Sequence, residues 1–403
     1  MANLLWGNVY YKDIFSGCLR EEPGERISFT YDSSYIDAGY PAIAHTLPLQ
    51  KNAHINNVGL HPFFDNLVSE GWLEQAQSRL LGKRAASRFE LLLAFGFDCA
   101  GAVSIIDPDP SGGLTKAMLD MEDAKEMALF TSRASLSGIQ PKLAIIEKNG
   151  KFYSARINEV STHIAKFSSP GHTDLIENEY LSTLAFRFLL PDDNVVEQRI
   201  LSIEGINEPA LLIKRFDRSP EERIHFEEFN QLLNRRSKEK YEGAHKDMAQ
   251  FIRHTKGCVP TQIYQLYKRI LAGLLLGNTD MHFKNFAMFH TSAGLRLTPS
   301  YDQVAAALYG YKTVALALGG SHNVLLAALK PRNIIKLGEE FELSSGAINM
   351  AVRELEKNIE AAKQVIFESK LGKAHFKNSL IKLMEKRWNG TFALIGQSLS
   401  KKP

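Results

Sequence analysis

The sequence predicts an α+β chain of two lobes, the first rich in strands and the second in helices, with a small β-rich domain in front. Three observations predict it. Apolar stretches broken by turn residues fill positions 1 to about 50 and return between Lys142 and Phe216. From about residue 225 the character changes to helix. A hairpin pattern interrupts that second half: Phe286–Phe289 and Leu295–Thr298 flank the turn His290-Thr291-Ser292-Ala293-Gly294.

The elements follow in order. Glu22-Pro23-Gly24-Glu25 separates two strand patterns, and Asp37-Ala38-Gly39-Tyr40-Pro41 is a second break. Residues 62–97 carry apolar positions at helical spacing, through Phe63, Phe64, Leu67 and Trp72, then Phe89, Leu92 and Phe95. Asp107 to Gly113 reads as a linker by its Pro, Gly and Asp content. Strands are expected at Lys142–Glu147 and Phe152–Ile157 around the turn Lys148-Asn149-Gly150-Lys151, and at His163–Phe167, Val195–Ile203 and Ala210–Phe216. Glu177–Leu190 reads as an amphipathic helix, and the last hundred residues read as all-helical. The predicted domains are 1–106, 107–218 and 219–403.

The composition is that of an ordinary soluble protein: 403 residues, 44% hydrophobic and 23% charged. No window approaches the roughly 18–20 apolar residues that span a bilayer. The N-terminus lacks the basic-then-apolar order of a signal peptide. Cys18, Cys99 and Cys258 form no metal-ligand spacing and no disulfide framework, which fits a reducing cytoplasm. A net charge of +3 is too small to argue for direct nucleic-acid binding. The basic C-terminal stretch from Lys370 to Arg387 reads as a solvated helix face.

The chemistry concentrates between Leu274 and Ala287. Asp280 stands five positions before Asn285, and Asp302 follows 17 residues after Asn285. Protein kinases set out a catalytic base and two magnesium ligands in this order. A hydroxyl attacking phosphorus needs an acceptor for its proton, and Mg²⁺ needs hard oxygen ligands. The predicted hairpin lies between Asn285 and Asp302 and would hold these two at adjacent strand ends. His282 and Lys284 stand between base and Asn, where they could contact phosphates.

The spacing gains weight from residues upstream. Ser135-Leu136-Ser137-Gly138-Ile139-Gln140-Pro141-Lys142 has the small residues that let backbone N–H groups approach phosphate oxygens. It is neither a Walker A loop nor the Gly-x-Gly-x-x-Gly of ordinary kinases, and a polar loop before a strand would look the same. Lys166 lies in an apolar strand, where an ammonium needs an anion or an exposed face. Glu177 or Glu179 could orient it. Leu212 to Arg218, including Arg215 and Phe216, falls where the β-rich lobe meets the helical one. There a kinase hinge would read adenine, and a strand end with surface charges is the other reading.

With these residues in order, the chain resembles the HipA family of bacterial toxin serine/threonine kinases over nearly its whole length. The resemblance is carried by Arg26 to Asp32 with Leu47-Pro48-Leu49, Phe63 to Leu67 with Glu70-Gly71, and Cys99 to Val103. It continues through Ser-x-x-Gly-x-x-x-Lys at 135–142, Glu177-Asn178-Glu179, Arg215 to Arg218, Lys240-Tyr241-Glu242 and Gly277 to Phe286. It implies a two-lobed protein-kinase-like fold with a small β-rich N-terminal subdomain and an all-helical C-terminal lobe.

It further implies ATP and Mg²⁺ as cofactors. By motif, Asp280 would be the base, Asn285 and Asp302 the metal ligands, and Lys166 a phosphate contact. Ser137, Gly138, Lys142, Arg215, Phe216, His282 and Lys284 complete the expected ATP site. Ser137 resembles the loop serine that family members autophosphorylate, which makes the activity self-limiting. Ser135 is a second candidate two residues earlier. A further departure is Lys214, where some relatives carry an acid that could bond adenine. The implied partners are a helix-turn-helix antitoxin, DNA only through that antitoxin, and a protein substrate such as an aminoacyl-tRNA synthetase, with no membrane. Two rival readings are a catalytically silent regulator bound to its antitoxin and a small-molecule kinase. The intact acids argue against the first, and the N-terminal subdomain and serine-bearing loop against the second.

Overall fold

The structure, a computed structural model, describes residues 4–108, 140–156, 159–169, 171–172 and 174–400. The chain forms two compact units, Met1–Ser169 with Gln198–Glu239, and Pro170–Glu197 with Lys240–Pro403.

In the first unit, β1 (Trp6–Tyr11) and β2 (Ile14–Glu22) form a hairpin. Its two loop residues, Lys12 and Asp13, have φ of 48° and 64°. Positive φ at both positions gives the type I′ turn, whose twist matches that of the flanking strands. With β3 (Arg26–Tyr31), β4 (His54–Asn56) and β5 (Val103–Ile106) they make an antiparallel sheet in the order β4-β3-β2-β1-β5. Among the helices that follow β3 are α1 (Ser33–Asp37), α2 (Pro62–Leu67), α3 (Gly71–Leu80) and α4 (Arg88–Phe95). Ser87 starts α4 through a capping box: its Oγ accepts from the Glu90 N–H, and the Glu90 carboxylate accepts from the Ser87 N–H.

A second antiparallel sheet, in the order β7-β6-β8-β10-β9, contains β6 (Lys142–Lys148), β7 (Lys151–Ser154), β8 (His163–Lys166), β9 (Gln198–Ile203) and β10 (Ile206–Lys214). One apolar core runs through both sheets: Val9, Phe29, Phe64 and Leu92 belong to the same cluster as Leu143, Ala165 and Leu212. The boundary expected at 106/107 falls inside this unit, where the two sheets share one apolar core. Most of the linker predicted at 107–113 lies outside the described residues.

The second unit begins with α5 (Leu175–Leu189), which packs on α9 (Ser345–Glu368). The predicted boundary at 218/219 misses this, since α5 belongs with helices far downstream. Between them come α6 (His245–His254), α7 (Thr261–Leu276) and α8 (Pro331–Glu340), and α10 (Ala374–Gly390) follows. The buried run from Leu266 to Leu276 puts α7 at the centre. At about 1.5–3 kcal/mol for each large apolar side chain removed from water, packing rather than helix propensity holds it. The predicted hairpin is present as β11 (Ala287–Thr291) and β12 (Gly294–Leu297). The last hundred residues are helical from Pro331 onward. Before it, Val314 N–H to Val324 C=O and Leu326 N–H to Lys312 C=O tie down an extended segment instead. No helix among the described residues is long and apolar enough to cross a membrane.

Candidate active site

Helix α7 delivers the catalytic segment and stops where it must. Gly277 takes φ +81° at the helix end, and a Cβ there would lie 2.4 Å from Leu383. Only glycine meets both demands. The next residue, Asn278, is 1% exposed. Its Oδ1 accepts from the Asp280 N–H at 3.1 Å, and its Nδ2 lies 3.3 Å from the Asp302 carbonyl. One buried amide thus ties the backbone of Asp280 to that of Asp302, residues 22 apart in sequence.

Asn285 ties the other side. Its Nδ2 donates to the Asp280 carbonyl at 2.8 Å. A carbonyl only accepts, so the nitrogen must face it, and the amide oxygen is the group left to offer a hard cation. The hairpin brings Asp302 back to this place. Arg269 on α7 makes two hydrogen bonds to Asp193, at 2.6 and 2.7 Å, and donates to the Thr298 carbonyl at 2.8 Å, just beyond β12. Ser300 donates its N–H to the Asn194 carbonyl. Asp302 then adopts φ 55°, a left-handed conformation that Asp tolerates better than most residues and that recurs at functional sites.

The Asp280 side chain is exposed to solvent on one side, with protein mass behind it. That burial raises its pKa, the Tyr241 hydrogen bond lowers it, the charge of Asp302 raises it and Lys240 lowers it, with a net upward shift. A carboxylate so placed holds a proton more readily than one in water, as a general base requires. His282 and Lys284 are 7% and 4% exposed, and Tyr301 donates its hydroxyl to the Lys284 carbonyl at 2.9 Å.

In the first unit, Lys142 and Lys166 face one another across the β6–β8 ladder, each 6% exposed. Directly opposed side chains have Cβ atoms about 4.5–5.5 Å apart, and like charges so placed repel. Two buried lysines in this register call for negative charge beside them. Ser135, Ser137 and Gly138 lie outside the described residues.

Residues 134–363 match the family model described as the HipA-like C-terminal domain, and residues 7–106 match the HipA N-terminal domain. The chain belongs to the HipA family. A putative kinase of Sinorhizobium fredii, Y4dM, is 28% identical over 82% of this chain and 84% of its own length. The serine/threonine-protein kinase toxin HipA of Shewanella oneidensis is 28% identical over 76% of this chain and 77% of its own. Among solved structures, Shewanella oneidensis HipA, in a complex with HipB and operator DNA, superposes with a TM-score of 0.70 at 22% identity. It covers 97% of this chain and 99% of its own. The likeness shows that this HipA-family chain has the same kinase-like fold.

Two residues expected at the nucleotide have their side chains engaged within the first unit. All five guanidinium N–H donors of Arg215 are used inside the first unit. They reach Asp217 at 2.9 and 2.7 Å, Asp98 at 3.1 Å, Ser161 at 2.8 Å and the Cys99 carbonyl at 2.9 Å. The Arg215 side chain therefore has no donor left for a base or phosphate. Phe216 packs its ring edge-on against Phe226, 5.0 Å between centroids. Burial works to raise the Asp98 and Asp217 carboxyls, but Arg215 and Arg218 outweigh it and hold both below the usual carboxylate range.

Two residues of the site escaped the sequence reading. Asn278 was legible only as part of the Gly-Asn-Thr-Asp motif. Tyr241 reaches Asp280 from 39 positions upstream, with its hydroxyl 2.9 Å from Oδ1.

Proposed function

We propose that this chain is an ATP- and Mg²⁺-dependent serine/threonine protein kinase that acts as the toxin of a toxin–antitoxin pair. The arrangement of Asp280, Asn285 and Asp302 around the buried amide of Asn278 carries the reading. Asp280 accepts the proton of the attacking hydroxyl. Asn285, through its amide oxygen, and Asp302 would hold Mg²⁺, and Lys142 and Lys166 would take phosphate oxygens. When bound, Mg²⁺–ATP supplies the phosphoryl group and neutralises charge on its oxygens. Lys284 and His282 stand beside the base, where a cation or an N–H donor favours charge developing on the transferred group. Positioning and electrostatics supply the rate, since phosphoryl transfer asks little covalent chemistry of the protein.

Ser137, or Ser135 beside it, is the self-modification site in this reading. A phosphoserine adds about −1.5 to −2 charges, which would repel the phosphates of a nucleotide and so limit the activity. The partner is a helix-turn-helix antitoxin. The relative solved together with HipB and operator DNA supports this choice, with DNA reached through the antitoxin. The substrate class is an aminoacyl-tRNA synthetase, whose modification arrests translation.

Incubation of the purified chain with Mg²⁺ and γ-labelled ATP, followed by mass spectrometry of the 131–142 peptide, tests the reading. Phosphate on Ser137 or Ser135 is expected in the parent chain and not in Asp280→Ala. Wild-type transfer by Asp280→Ala refutes the assignment of the base.

A further inference from the structure

The backbone of Asp280 is fixed on both sides. Its N–H is held by Asn278, and its carbonyl accepts from Asn285 and from the His282 N–H, both at 2.8 Å. This leaves the side-chain torsions to decide which carboxylate oxygen meets the acceptor hydroxyl. Tyr241 occupies one of them, with its hydroxyl donating to Oδ1 at 2.9 Å.

The tyrosine is built into place although the residue is 46% exposed. Its ring stands edge-on to that of buried His282, 5.0 Å between centroids at 82°. The Lys240 ammonium lies 5.5 Å from the ring centroid. The Lys240 carbonyl accepts from the Phe283 N–H at 3.3 Å, tying this segment to the catalytic one. An exposed phenol satisfied by water needs none of these restraints. A phenol that must present one hydrogen to one carboxylate oxygen needs them, because a freely turning ring would lose the bond to solvent.

We propose that Tyr241 is the positioning residue of the catalytic base: it holds Oδ1 of Asp280 and so turns Oδ2 toward the acceptor hydroxyl. The inference rests on Asp280 being the base. It assigns to Tyr241 a part in turnover and none in nucleotide binding.

The test compares the full chain with Tyr241→Phe, Asp280→Asn and the double variant. Transfer from γ-labelled ATP is measured into the chain itself and into myelin basic protein as a generic acceptor, and nucleotide affinity is measured with fluorescent mant-ATP. Tyr241→Phe keeps the ring on His282 and removes only the hydroxyl. Its kcat is expected to fall about tenfold, the scale of one hydrogen bond to an ionised group. Mant-ATP affinity and the KM for ATP stay within about twofold. In the Asp280→Asn background the same change costs nothing further. A Tyr241→Phe variant with wild-type kcat, or one whose loss appears wholly in the KM for ATP, overturns the proposal. Wild-type transfer by Asp280→Asn instead overturns the reading of the base itself.

A spectroscopic readout needs no turnover. With 3-fluorotyrosine incorporated, the ¹⁹F resonance missing from Tyr241→Phe belongs to residue 241. It is expected to move between the parent chain and Asp280→Asn at constant pH, and an unmoved resonance overturns the contact.

Discussion

Replacing Arg215 by methionine separates a structural role from a nucleotide-binding one. The variant keeps the aliphatic stem and removes all five hydrogen bonds to Asp98, Asp217, Ser161 and the Cys99 carbonyl. Removing one partner of a buried ion pair costs about 3–5 kcal/mol, because the other charge stays buried without it. Here Arg218 remains within 2.8 Å of both Asp98 and Asp217, so the lower end applies, about 3 kcal/mol. For a body of this size each kcal/mol moves the melting temperature by about 2–4 °C, giving a drop of about 6–12 °C. The assay is calorimetry of the full chain, paired with urea unfolding followed through Trp6 and Trp72, both in the first unit. Mant-ATP affinity of the folded variant should stay within about twofold of the parent. The acid limb should change as well. Both carboxylates titrate lower in the folded chain than unfolded, so they add stability above the unfolded pKa near 4 and lose it as pH falls. The variant's stability should therefore fall less steeply toward acid. A loss below about 1 kcal/mol together with a large loss of ATP affinity would refute the reasoning and return Arg215 to the nucleotide.

Two further outcomes follow from the second unit. His245 is fully buried, makes a backbone bond at Ala317, and has its pKa pushed down from 6.5 to about 4 by burial. The unfolded chain takes up a proton that the folded one refuses, so stability should fall from about pH 6.5 to about pH 4, by roughly 3 kcal/mol in all, and His245→Phe should flatten urea midpoints over that range. Asn278→Ala removes the clasp between Asp280 and Asp302; transfer should fall at least tenfold, and leaving buried backbone groups without their partner should cost about 1–3 kcal/mol in a urea melt.

Much of the architecture was legible because it is written in local signals. The helical spacing of 62–97, the turn at Lys148–Lys151 and the hairpin between Asn285 and Asp302 each depend on neighbours within a few residues. What was not legible depends on distant partners. The side-chain role of Arg215 was hidden because Asp98, one of its partners, lies 117 positions away. Nothing local marks Tyr241 as a neighbour of Asp280. The cross-strand pairing of Lys142 with Lys166 could be read only once the register of β6 and β8 was known. The grouping of α5 with helices far downstream was hidden for the same reason, since composition marks linkers but not which helix a strand-rich segment lends to its neighbour.

Both units are assembled from two separated stretches of chain. The polypeptide crosses between them at 169/170, 197/198 and 239/240, so no single cut yields either one whole. This bears on how the protein is made. On the ribosome α5 appears early, yet the helix it packs against, α9, is synthesised only after residue 344. Until then the buried side of α5, with Leu181, Ala185 and Leu189, has no α9 to cover it. Contacts so remote in sequence form slowly and leave sticky surface waiting. Expression trials that trim the chain at 106 or 218 should therefore yield aggregates.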